Sequence, residues 1–389
     1  MLVKSELISF SLLRSIEKTN ACFLFVKRKI PCNHFILFAS CKRDQSNVDM
    51  KINKSISLCC IASVLISFSA CTTSTKPVER ESIAYKVVTD NIETRMPGNL
   101  MKVGNYLVWE DPFAKDRFMH VVDPQSGKEV GTMGDVGQGP EEFTTPAISQ
   151  TFDNRVFVYD LNTKRQAFYS VDRLVSNQSP FTRYIDNTEL EATDKININD
   201  DQFIIIEPAE MNIFKYVNKM DTIAFGSQLI DGENIDNRYD INQGTIQYNP
   251  KRDKFVFASR SLPSLRIYSI NKGDIVEEYR STIPDNAYSF VGGGVKTDRT
   301  RRASMDMSLT KDYIVTIQRD YEKDNTDEST VGMDFTKLPT TLFLYDYNGS
   351  LKKIVDTGMP ILRLAGDAEN NTVYVVGVNP EFVIAQVEL

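Results

Sequence analysis

One motif recurs six times between residues 105 and 387: two short runs rich in Val, Ile, Phe and Tyr, separated by turn residues. The pairs are Asn105–Trp109 with Phe118–Val122, Arg155–Asp160 with Gln166–Val171, and Gln202–Ile206 with Ile213–Val217. They continue as Lys254–Ala258 with Leu265–Ile270, Tyr313–Ile317 with Thr341–Asp346, and Thr372–Val376 with Phe382–Val387. Successive starts lie 50, 47, 52, 59 and 59 residues apart, and self-similarity at a near-fixed period marks a repeat architecture. Each pair follows a candidate inner strand: Asn99–Val103, Pro146–Gln150, Lys195–Asn199, Thr245–Tyr248, Ser304–Leu309 and Ile361–Ala365. Five pairs precede an outer one: Lys128–Met133, Pro180–Tyr184, Thr222–Phe225, Ile275–Arg280 and Leu351–Val355. The sixth pair runs into the C-terminus, and Ile83–Val88 is free to complete it.

Four strands per unit, no sustained 3.6-residue periodicity, and an early strand left over for the last unit predict an all-β chain. The expected fold is a six-bladed β-propeller over 82–389, with an N-terminal strand joining the last blade and leaving only short edges. Seven blades, or two stacked β domains, are the alternatives.

Residues ahead of this region differ in kind. From Met50 the chain reads Lys51 and Lys54, an apolar run Ile56–Phe68, small residues Ser69 and Ala70, then Cys71. That order is a secretory signal, too short to span a bilayer comfortably. It resembles the bacterial lipoprotein signal, which implies cleavage before Cys71 and lipid attachment to it. The family prefers Leu where Phe68 stands. Residues 1–49 lack cleavage logic and read as a start placed too early. Residues 50–70 are then the signal and 71–81, polar and containing Pro77, a flexible tether. This address implies an outer-membrane lipoprotein in the cell envelope, on the periplasmic side, and a monomer.

Charge and cysteine usage narrow the function. Of 45 basic and 52 acidic residues, ten and four precede Cys71, which leaves 35 and 48 and a formal charge of −13. Such a body repels phosphate backbones, so nucleic acid is excluded as a partner. All six Cys lie at or before position 71 and His120 is the one later histidine, so thiol chemistry and an ordinary zinc site are excluded. No metal and no cofactor are expected.

The segment Gly134–Pro146, GDVGQGPEEFTTP, is similar to the G-x-G-P-x-E-F-x-x-P signature of TolB-like and NHL-like six-bladed propeller lipoproteins. The matching residues are Gly137, Gly139, Pro140, Glu142, Phe143 and Pro146. The resemblance implies the fold and adds little about activity. A phosphate loop would need a following helix, whereas Pro140 and Pro146 lead into another β unit, so the glycines read as a turn between blades with Phe143 packed there.

Other candidates carry less. His120 lies on an alternating strand without a triad partner. Gly292–Gly294 followed by Lys296, Arg299, Arg301 and Arg302 reads as a solvated linker between blades four and five; the alternative is a mobile basic insertion able to clamp an anionic group. Asp320–Glu328 with Asn325 matches no calcium loop and reads as a solvated loop. Tyr106, Trp109 and Phe113 read as core. The reading that results is a membrane-tethered binding or scaffold propeller for a protein or glycan partner, more in keeping with a binding protein than with an enzyme. The alternative is a carbohydrate-active hydrolase or lyase using carboxylates, Tyr or Arg at the propeller mouth, with catalytic residues unknown.

Overall fold

The computed structural model describes Phe23–Leu24, Phe38–Ala39 and residues 77–389 except 152, 161, 186–193, 220, 233–234, 272, 299–303 and 325–333. The chain divides into two units, Met1–Thr75 and Lys76–Leu389. In the first, Phe23–Leu24 pairs antiparallel with Phe38–Ala39. Cys71 lies outside the described residues.

The second unit is a six-bladed propeller in which each blade is an antiparallel sheet built in chain order. Blade one is Leu100–Val103, Tyr106–Glu110, Arg117–Val122 and Glu129–Val136; blade two is Pro146–Ser149, Arg155–Asp160, Gln166–Ser170 and Phe181–Ile185. Blade three comprises Asp194–Asn197, Gln202–Ile206, Asn212–Asn218 and Asp221–Ser227, and blade four Gly244–Asn249, Lys254–Ser259, Leu265–Asn271 and Asp274–Arg280. Blade five contains Met307–Leu309, Ile314–Ile317, Thr341–Tyr345 and Leu351–Asp356. Blade six has Ile361–Gly366, Thr372–Val378 and Phe382–Glu388, with Tyr85–Thr89 antiparallel to the last of these.

Alternation along the strands explains the ring. In blade four, Phe255 and Phe257 join the core shared with Phe214 of blade three, while Val256 and Ala258 join Met307, Leu309 and Ile314 of blade five. Both faces of a middle strand are therefore buried, and it reads as a continuous apolar run. The outer strand Asp274–Arg280 instead alternates between exposed and half-buried positions.

Two features depart from the sequence reading. Glu79–Ser82, whose first three residues fall in the expected tether, is a fifth strand of blade five, parallel to Leu351–Asp356. It carries no apolar signal. Ion pairs hold it instead: Glu81 to Lys353 at 2.8 Å, and Arg80 to Asp320 at 3.1 Å and to Glu322. The acidic insertion thus begins as a paired structure, with Asp320 buried; its continuation from Asn325 lies outside the described residues. Second, Gly292 and Gly293 lie in paired structure. At φ +58° and +89° they form the turn of a hairpin, Tyr288–Val291 with Gly294–Thr297, in a left-handed region that glycine enters freely. The Asn237 side chain clamps this hairpin through Val295 N (2.9 Å) and O (2.8 Å).

The glycine and proline signature joins blades one and two. Glu142–Phe143 pairs parallel with Asp135 and Val136, and the Glu142 carboxylate folds back onto Gly139 N at 2.6 Å. A Cβ at Gly137 would lie 2.0 Å from that carboxylate. Phe143 is fully buried between Phe118 (5.9 Å) and Tyr169 (6.4 Å). The next two residues cap Asp160, whose carboxylate accepts from Thr144 N, Thr145 N (3.1 Å), both Thr hydroxyls, Asn162 N (2.9 Å) and Thr163 N (2.9 Å). Burial alone would push this carboxyl up, but the donors outweigh it and hold Asp160 well below the usual carboxylate range. Asp160→Ala strands these donors, and we expect a loss of about 3 kcal/mol of unfolding free energy, measured by urea denaturation.

Candidate functional site

A propeller's inner strands present backbone edges to the axis, so the channel is polar whatever side chains the blades carry. Here it forms a cavity of about 600 Å³ lined by residues of all six blades. Its two ends differ. Antiparallel pairing sets Asp194 against Ile206, Gly244 against Ser259, and Asp306 against Ile317, so the starts of inner strands share one end of the channel with the finishes of second strands. The mouth at that end brings together Tyr159, Asp194, Tyr239, Arg260 and Asp306, with Glu110 and Arg363 behind the wall. At the far end the Gln150 side chain reaches from blade two to blade four, donating to Tyr248 O at 2.9 Å and accepting from Tyr248 N at 3.1 Å.

The carboxyls of the mouth are starved of water. Burial pushes Glu110 up to about 7, against the Asn99 N–H at 3.0 Å and the field of Arg363. Burial likewise raises Asp194 to about 6, opposed by Lys195 N (2.8 Å), Arg260 and the Ser149 hydroxyl (3.3 Å). Asp306 is raised by burial too, against Arg363, Leu364 N (2.9 Å), Met307 N (2.9 Å) and Arg260. Tyr159 is pushed up by burial and by its neighbours Asp194 and Glu110. Arg363 is fixed on Gly98 O (3.0 Å) and Leu362 O (3.2 Å).

Among the described residues, the groups at this end that lack a protein partner include three on blades three and four. Asp194 Oδ2 takes no hydrogen bond, since both bonds to this carboxylate fall on Oδ1. The exposed Arg260 guanidinium has neither ion pair nor side-chain hydrogen bond. The Thr245 hydroxyl, on a residue 7% exposed, is buried and unpartnered.

The sequence-predicted candidates lie elsewhere. Gly137, Gly139, Pro140, Glu142, Phe143 and Pro146 form the blade junction and none lines the cavity. Lys296 is exposed on the hairpin and does not line the cavity either, while Arg299, Arg301 and Arg302 lie outside the described residues. His120 stacks on Trp109 (4.2 Å) and bonds Glu129 at 2.7 Å; Trp109 is core, Tyr106 is half-buried, and Phe113 is exposed beside Arg95. Among the described residues no group of three or more His, Cys, Asp or Glu is arranged to hold a metal ion, and no helix is long and apolar enough to cross a membrane. The signal that could have found the mouth is positional: a charged residue where an inner strand starts, as in DKIN at 194–197 and DMSL at 306–309.

Glu110 gives a pH test. Its proton affinity is higher folded than unfolded, so between about 4.5 and 7 the native state holds more proton and stability falls as pH rises. Unfolding free energy should drop on the order of 3 kcal/mol across that window from this group, with Asp194 adding in the same direction. In Glu110→Gln the fall in Tm between pH 5 and 8 should shrink; an unchanged slope would contradict the assignment.

Comparison with known proteins completes the picture. The family described as TolB-like 6-blade propeller-like matches residues 76–359. Similar solved structures include regucalcin, a calcium-binding protein from Agrobacterium tumefaciens, at TM-score 0.45 and 10% identity, over 80% of this chain and 95% of that one. Others are U3-55K, at 0.44 and 9% over 79% and 98%, and the β-propeller domain of Cps50 (Swd1) from Myceliophteria thermophila, at 0.41 and 8% over 75% and 96%. No curated protein matches.

Proposed function

Since the chain belongs to the TolB-like six-bladed propeller family, we propose that it is a lipid-anchored binding propeller, tethered through Cys71 on the periplasmic side of the outer membrane, that holds the polar end of a protein or glycan partner in its channel mouth. One observation carries the binding reading: Asp194 Oδ2 and the Arg260 guanidinium are charged groups without protein partners among the described residues, and both residues line one cavity of about 600 Å³. Charged groups without protein partners, converging on one cavity, suit a ligand that supplies the opposite charges.

A hydrolase or lyase is the second reading, because a carboxyl held near 7 suits a general acid. Glu110, however, is only 4% exposed and is backed onto Asn99 N, away from any substrate. Binding is therefore the better account.

Two measurements test the proposal. In a thermal-shift screen of glycans and peptides, at least one compound should raise Tm, and Asp194→Asn and Asp306→Asn should weaken it tenfold or more; a screen in which no compound binds removes the binding reading. Cys71→Ser should abolish acylation and release the protein from the membrane fraction. Unchanged fractionation would remove the anchor.

A further inference from the structure

Register places Asp194, Gly244 and Asp306 at one level on three successive blades, each opposite the last residue of its second strand. The middle position has no side chain, and none fits there: a Cβ would lie 2.3 Å from Phe257 and 2.4 Å from Ala258 O. Two carboxylates thus flank the glycine position, a notch in the cavity wall. The nearest lysine in sequence cannot fill it, because Lys195 donates to Gln166 Oε1 at 2.9 Å and lies over the rings of Phe157 and Phe203. Arg260 follows the second strand of that same middle blade, and its field reaches both carboxylates although it pairs with neither.

We propose that this notch binds the ammonium group of a small zwitterion, an amino acid or short peptide, whose carboxylate is held by Arg260. The inference rests on the binding reading and specifies its ligand. Chemistry selects this class. An ammonium offers three donors and no acceptor, and the carboxylates of Asp194 and Asp306 are acceptors only. It also restores a counter-charge to carboxylates that burial has deprived of water, where charge-assisted bonds are the strong ones. A neutral sugar would satisfy the acceptors but leave the guanidinium fork unmatched, whereas a carboxylate fits that fork bidentately.

Calorimetry on the membrane-extracted protein in detergent, with four probes, decides the matter: trialanine, N-acetyl-trialanine, trialanine amide and cellotriose. Trialanine should bind, with N-acetylation costing at least tenfold and amidation a smaller, several-fold loss. Asp194→Asn keeps an acceptor for Lys195 N, so it should fold with wild-type circular dichroism and lose trialanine at least tenfold. Arg260→Ala should bind trialanine and its amide equally. Modifying the probe tests the ammonium without any variant, so a poorly folded mutant cannot shield the proposal. Equal binding of trialanine and its N-acetyl form would overturn it. Cellotriose binding without trialanine binding would overturn the zwitterion and leave the binding propeller standing, whereas silence from all four probes and from the wider screen would remove both.

Discussion

Two-sided burial of the middle strands governs this molecule. Val156, Phe157 and Val158 of blade two are all buried, as are Ile204, Ile205 and Ile206 of blade three and Ile314 and Val315 of blade five. A sheet with one apolar face can rest against water on the other; a sheet with two must be sandwiched. Each blade therefore requires a neighbour on either side, and the ring returns on itself where the inner strand of blade six meets that of blade one. The channel is a by-product of that demand. Six inner edges converge on the axis and present backbone groups to it, so a polar cavity arises before any side chain is chosen to furnish it.

This explains what could be read from the sequence. The blade strands were legible because apolar and β-branched runs bounded by turns follow from burial of both faces, as in Lys254–Ser259, KFVFAS. Strand boundaries moved by a few residues where polar geometry intervened: the run expected to reach Val171 stops at Ser170, whose side chain caps a short helix, Val171–Val175, by accepting from Arg173 N. Glu79–Ser82, ERES, was illegible because its partners Asp320, Glu322 and Lys353 are some 240 to 270 residues away and its strand character is electrostatic rather than apolar. The mouth was illegible for a related reason. Asp194, Thr245, Arg260 and Asp306 are each an unremarkable polar residue near a strand end, and only the ring brings them together.

The same side-chain type meets opposite fates at the two polar centres. Asp160 and the mouth carboxyls are all withdrawn from water, yet Asp160 is saturated by backbone and hydroxyl donors and is held strongly ionised. Asp194 and Glu110 receive fewer donors, and burial prevails. A saturated carboxylate has nothing left to offer a ligand and works as a rivet between blades one and two. An undersaturated one stores an unmet demand for positive charge or donors. Density of donors thus separates the structural centre, to which the sequence signature belongs, from the channel mouth, marked locally by nothing more than a charged residue where an inner strand starts.

Long-range and short-range electrostatics then favour the same class of ligand. The chain beyond Cys71 carries a formal −13, so a simple anion is repelled before it can reach Arg260. A simple cation is attracted, but leaves that guanidinium unmatched at the rim. A molecule carrying both charges feels little net repulsion on approach, and the field orients it with its ammonium toward the carboxylates and its carboxylate toward the fork. On the proposed reading, Arg260 at the mouth of an acidic body would do more than add affinity: it would set which end of the ligand enters first.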